Sequence, residues 1–221
     1  MPFDLDAHLA AMCRTVRSGN RDGVPTKVVA ASRTFATTPE DLWDAVSNRE
    51  RIGRWFLPIS GDLRLGGRYQ LHGNAGGVIE ACEPPNHLAV TWEYGGEVSW
   101  LDVRVTPDGD GARLELEHVA TVDAGSTGAE FWATYGPGAT GVGWDMAFQG
   151  LARHLAEPDA PGPDPEAAAA WAASPEARAL YADTSRAWAE ADIADGTPAP
   201  KAMAAAERTR AFYAGETPPD A

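Results

Sequence analysis

Five histidines, two cysteines, eight tryptophans, five tyrosines and six phenylalanines are the side chains on which chemistry could rest. His8, His72, His87, His118 and His154 form no HExxH and no other chelating pair, so a metal centre is not expected. Cys13 and Cys82 lie far apart and form no CxxC, which supports neither zinc nor dithiol chemistry. Two free buried thiols or a single disulfide are the readings left. No G-x-S-x-G and no Cys–His spacing marks a nucleophile. Gly136, Gly138 and Gly141 spell G-x-G-x-x-G, but a dinucleotide site needs that turn inside a βαβ unit, and an antiparallel pattern precedes it here. No cofactor is therefore expected and no catalytic residue is singled out. His118 remains, turned inward by strand alternation. It could hydrogen-bond a ligand, donate a proton, or serve as a satisfied structural histidine. Beside it stand large aromatics, which offer apolar area, flat ring faces and, on Tyr and Trp, a polar handle.

These residues must be positioned by regular elements. Residues 4–16 place Leu5, Leu9, Met12 and Val16 on one stripe and predict a short helix, which SGNRDGVP would break. Residues 26–37 alternate as a strand with Val29, Ala31, Arg33 and Phe35 on one face. Thr38 is a capping residue, Pro39 suits a first helical position, and Glu40 and Asp41 favour the positive end of the dipole, so a helix is predicted over 39–48. A second short helix follows over 49–56, with Ile52, Trp55 and Phe56 on its apolar side.

From residue 61 to 121 the period becomes two. Leu63/Leu65 and Tyr69/Leu71 read as a strand pair around Gly66-Gly67, and four further strands follow in hairpin order through the turns EPPN, YGGE and TPDGDG. Connections this short make the strands antiparallel. Leu88, Val90, Trp92 and Tyr94 share a face, as do Leu101, Val103 and Val105, and Leu114, Leu116 and His118 face with Leu101. Trp100 falls on the opposite side, with Asp102 and Arg104. Residues 138–156 form the strongest helix, with Trp144, Phe148, Leu151 and Leu155 as a stripe that the apolar sheet face can cover. A Pro-rich linker is expected over 157–169, then helices near 175–194 and 199–214.

At 221 residues the chain accommodates one ordinary domain with extra segments. Its formal charge of −14 argues against nucleic acid and against an anionic membrane surface. Residues 157–221 carry 12 acidic and 5 basic side chains and so supply half of that charge. The acidic N-terminus has no apolar run of the signal-peptide kind, and no stretch approaches the ~20 apolar residues that span a bilayer. A soluble cytoplasmic protein is expected.

The segments RTFATTPEDLWDAVSNRERIGRWF, GDLRLGGRYQL, GGVIEACEPPNHLAVTW, GARLELEHVAT and GVGWDMAFQGLARHL run in one order over residues 27–156. In that order they resemble the homologues of the Hsp90 ATPase activator, within the START/Bet v 1 (SRPBCC) superfamily, which also includes enediyne self-resistance proteins. The resemblance implies an α+β helix-grip fold, a curved antiparallel sheet around a long C-terminal helix, here with an extra helical C-terminal appendage. It divides the chain into an N-terminal helical extension at 1–25, the helix-grip domain at 26–156, and the linker and appendage at 157–221.

It also implies an internal cavity. Trp55, Phe56, Tyr69, Trp92, Tyr94, His118, Trp144 and Phe148 are the candidate lining residues, with Gly143 and Gly150 leaving room over the sheet. The same aromatics read equally as a closed core. The loop 132–141 is a candidate gate, and its glycines and proline equally fit a passive connection. The implied function is binding of a hydrophobic or aromatic small molecule, such as a polyketide or enediyne-type metabolite, for sequestration, transport or self-resistance. A cyclase or hydrolase using the same cavity and an Hsp90-related cochaperone are the alternatives. The additional N-terminal domain of the authentic activators has no counterpart in residues 1–26. The appendage could cover the sheet, lid the pocket or mediate a homodimer.

Overall fold

The computed structural model describes residues 4–162 and 164–218. The elements run, in order, α1 (Leu5–Ala10), β1 (Cys13–Arg21), β2 (Val24–Phe35), α2 (Pro39–Ser47), α3 (Arg49–Trp55), β3 (Ile59–Gly61), β4 (Arg68–Leu71), β5 (Gly76–Glu83), β6 (His87–Tyr94), β7 (Glu97–Asp108), β8 (Gly111–Thr121), α4 (Thr127–Tyr135), α5 (Gly138–Ala156), α6 (Pro165–Ala172), α7 (Pro175–Ala194) and α8 (Ala199–Ala214). The strands form one open sheet in the order β1-β2-β8-β7-β6-β5-β4-β3. This is the α+β helix-grip arrangement, an antiparallel sheet with a long helix near its C-terminal end.

The chain divides into two compact units. One holds Met1–Cys13, Ala31–Val119 and Ala147–Pro163, and the other holds Arg14–Ala30, Ala120–Met146 and Asp164–Ala221. Strand β2 and helix α5 each run through both. In the first unit the central ladder joins the faces expected from alternation. Val90 pairs with Leu101, Leu101 with His118, Val103 with Leu116 and Val105 with Leu114, so the apolar positions of three strands fall on one face. Phe148 on α5 stacks on Phe35 of β2, ring centroids 6.2 Å apart, and fastens the helix's C-terminal half to that strand. Thr38 caps α2 as expected, its hydroxyl accepting from the Asp41 amide at 3.2 Å.

The second unit gathers α4, the N-terminal half of α5, α7 and α8. Trp188 of α7 is fully buried and lies against Gly141, where an added Cβ would come within 2.3 Å of the indole. Tyr213 of α8 donates to the Ala139 carbonyl at 2.6 Å, and Thr209 donates to that of Tyr135 at 2.9 Å. Helices α7 and α8 are thus bonded to α4 and α5, with small residues Ala189, Ala202 and Ala206 bringing α7 and α8 together. Within the same unit the Lys27 ammonium and the Ser18 hydroxyl both bind Asp195 at the end of α7, at 2.8 and 2.7 Å.

Five expectations need correction. The predicted helix over 4–16 ends at Ala10, and residues from Cys13 form an edge strand. The reason is the Asp22-Gly23 pair, whose φ angles of 53° and 86° make a tight hairpin turn; the segment read as a helix breaker joins two strands. Leu63 and Leu65 are not in a strand. The first member of that pair is Ile59–Gly61, and Leu65 stands 66% exposed in the turn. Residues 127–135 are helix α4, capped by Ser126, so the predicted loop 132–141 is helix over most of its length. Part of the Pro-rich linker, from Pro165, is helix α6. Both cysteines are free, and Cys13 is exposed on its edge strand rather than buried.

Candidate functional site

The sheet face of the first unit carries a polar group among aromatic and aliphatic side chains. Ser99 faces Trp92 across the β6–β7 ladder, and His118 faces Leu101 across β7–β8. The Trp92 and His118 rings lie 5.8 Å apart, tilted by 59°. The Ser99 hydroxyl is 2.8 Å from His118 Nε2 and donates to the Trp92 carbonyl at 3.2 Å. With its only proton directed at that carbonyl, the hydroxyl accepts from Nε2–H, and Nδ1 becomes the acceptor end of the ring. Burial pushes the His118 pKa down to about 4, so the imidazole is neutral near pH 7.

The other predicted residues fall into distinct places. Trp55 and Phe56 stack at 5.6 Å at the end of α3, and the Trp55 indole donates to the Ala45 carbonyl at 2.9 Å. Tyr69 is buried on β4, its hydroxyl committed to the Thr91 carbonyl at 2.8 Å, and burial raises its pKa out of reach of neutral pH. Phe148 is buried against Phe35. Tyr94 is 61% exposed at the β6–β7 turn, away from the covered part of its strand. Trp144 is buried in the second unit. The structure therefore pairs Trp92 with His118, and Trp55 with Phe56.

The two glycines expected to leave room have another use. A Cβ at Gly150 would lie 2.3 Å from the Trp55 carbonyl oxygen, so this glycine lets α5 pack directly on α3. A Cβ at Gly143 would meet the Tyr213 hydroxyl at 3.1 Å.

Ser99, Arg33, His8, Arg14, Asp145 and Trp188 are structural participants that the spacing of aromatics did not single out. Asp145 is 1% exposed and receives Arg14 Nε at 3.1 Å on both oxygens and the Trp188 indole at 2.9 Å. Burial raises its pKa to about 6, against the opposing pull of Arg14 and then of the indole. The signal available was a second stripe on α5, Val142, Asp145, Gln149 and Ala152, beside the apolar one. All four are buried, so this helix is covered on two sides. Near the helix's other end, Arg51 bonds Asp41 at 2.7 Å, Asp44 at 3.0 Å and His154 Nε2 at 3.2 Å; burial and the neighbouring arginines lower the His154 pKa. No group of three or more His, Cys, Asp or Glu among the described residues is arranged to hold a metal ion.

The open antiparallel sheet and the long helix α5 that follows it make a protein of the helix-grip fold, of the START/Bet v 1 type. Residues 36–156, more than half of the chain, match the model of the Activator of Hsp90 ATPase homolog 1-like family, and the chain belongs to that family. It is similar to CalU16 from Micromonospora echinospora, whose crystal structure is 30% identical over 82% of this chain and 98% of that one, with a TM-score of 0.64. The solution structure of CalU16 gives 29% identity over 84% and 97%, with a TM-score of 0.66. EF2215 from Enterococcus faecalis, a conserved protein of unknown function, shares the fold at 15% identity and a TM-score of 0.53, over 72% of this chain and 84% of its own. No curated protein matches the chain. No helix of the described residues is long and apolar enough to cross a membrane.

Proposed function

We propose that this protein binds a hydrophobic or aromatic small molecule, of the polyketide or enediyne type, against the sheet face that carries Trp92, Ser99 and His118, and thereby sequesters or carries it. The observation behind this reading is a neutral imidazole and a hydroxyl set beside an indole face, next to the apolar positions Val90, Leu101, Val103 and Leu116 of the same face. Such a layer gives a flat ligand a ring to stack on and a few polar atoms to fix its orientation. Trp55, Phe56, Tyr69 and Phe148, which belong to the same unit, supply further aromatic surface in this reading, and exposed Tyr94 stands at its edge.

Binding is favoured over catalysis by the state of His118. A general acid or base works best with a pKa near the operating pH. An imidazole titrating near 4 is almost never protonated at neutral pH and serves better as a fixed hydrogen-bonding group. The family fold agrees with a binding role, and the resemblance to enediyne self-resistance proteins supports a secondary metabolite as the ligand. Titration with polycyclic aromatic metabolites tests the proposal: saturable 1:1 quenching of tryptophan emission at micromolar ligand is expected, and an unresponsive protein would refute it.

A further inference from the structure

Arg33 is a cation in an unexpected place. It lies two residues from Phe35 on β2, so both side chains share a face, and Phe35 stacks on Phe148 of α5. Its guanidinium carbon is 5.0 Å from the Phe35 ring centroid. The guanidinium is therefore on the helix-covered face, part-buried, and burial draws its pKa below the ordinary arginine value. It stays protonated at neutral pH all the same.

Three part-buried cations of this chain meet carboxylates: Arg14 meets Asp145, Lys27 meets Asp195, and Arg51 meets Asp41 and Asp44, while Arg113 and Arg208 donate to the Ser32 hydroxyl and the Thr134 carbonyl. Arg33 meets none among the described residues, although the chain carries 32 acidic side chains. Its polar neighbour is His8, which is 1% exposed, and Arg33 Nη1 contacts His8 Nδ1. Arginine only donates, so Nδ1 accepts and the His8 proton resides on Nε2. Arg33 Nε is itself buried without a hydrogen-bond partner. A planar guanidinium that is partly desolvated, stacked on a ring and short of an acceptor is suited to an anion.

We propose that Arg33, backed by His8, receives the carboxylate of the bound molecule, so that the ligand class is an amphiphilic acid with an aromatic or hydrophobic body. This rests on the reading that the helix-grip unit holds a hydrophobic small molecule. The ring of Phe35 and the Phe148 contact extend the apolar surface from the point where the acid group would be held. Long-range repulsion from the acidic surface is screened beyond ~10 Å at ordinary ionic strength, and a contact ion pair is not.

The test compares 1-pyrenebutyrate with 1-pyrenebutanol, which share the polycyclic body and differ in the head group. Pyrene emission gives both affinities on the same protein. The acid is expected to bind at least about tenfold more tightly than the alcohol, a difference of ~1.4 kcal/mol. Arg33→Met is expected to bring the two to equality by weakening the acid alone, and Arg33→Lys to retain part of the preference. Equal binding of acid and alcohol to the native protein, or a preference that survives Arg33→Met, would overturn the assignment while leaving the binding function intact. If neither probe binds, the small-molecule reading fails and this inference falls with it. Should Arg33→Met not fold, the ratio measured on the native protein still decides.

Discussion

His118 carries a pH signature. Its pKa near 4 in the folded state lies below the ordinary histidine value of about 6.5. Between those two values the unfolded chain binds the proton more readily, so the histidine's contribution to stability is fully present above 6.5 and is lost as the pH falls towards 4. The span corresponds to ~3 kcal/mol. Replacing His118→Gln should flatten the dependence, so that denaturant unfolding at pH 4.5 and 7 differs less in the variant than in the native protein by up to about that amount. Asp145 works in the opposite sense, because its pKa is raised to about 6 and its folded form is favoured by protonation. Arg14 is what keeps its carboxylate tolerable. Arg14→Met should cost ~3 kcal/mol by leaving a buried charge without its counter-ion, and Arg14→Met with Asp145→Leu should recover part of that loss. Urea unfolding of the two variants checks both expectations.

At the scale of elements, much was legible because the patterns were strong. Helices α2, α5, α7 and α8 and the β5–β8 meander follow from a capping threonine, an unbroken apolar stripe and turn residues at close spacing. The face that His118 shares with Leu101 follows from alternation alone. The misreadings have physical causes. Strand β1 has few buried positions, so its alternation is faint and an accidental helical stripe outweighed it. Helix α4 has no fully buried residue and left little periodic signal. The partnerships of Arg33, Ser99 and Asp145 are between residues distant in sequence, and single-sequence spacing does not reveal such pairs. The glycines of α5 were recognisable as gaps, but which neighbour fills each gap is decided by tertiary packing. Gly150→Ala tests that reading. With the Trp55 carbonyl in the way, α3 and α5 must separate, and a loss of ~2 kcal/mol measured by thermal or denaturant unfolding is expected. An unchanged stability would mean that the helices do not approach so closely.

For the whole molecule, the two units carry different duties. The first holds the Trp92–Ser99–His118 layer and Arg33, the groups to which a binding function is ascribed. The second ties α7 and α8 to the N-terminal half of α5 through Trp188, Asp145 and Tyr213, with bonds that are buried and specific. The helices beyond residue 164, expected as an appendage, therefore belong to a packed unit of the protein.

The central claim is that the Trp92–Ser99–His118 layer is a ligand surface, and native mass spectrometry with polycyclic aromatic metabolites tests it most directly when the native protein is set beside Ser99→Phe, whose added ring would occupy the space next to Trp92 and His118. The account predicts a 1:1 complex with the native protein at micromolar ligand and its loss in the folded variant. No complex with the native protein, or a complex undiminished by Ser99→Phe, would contradict it.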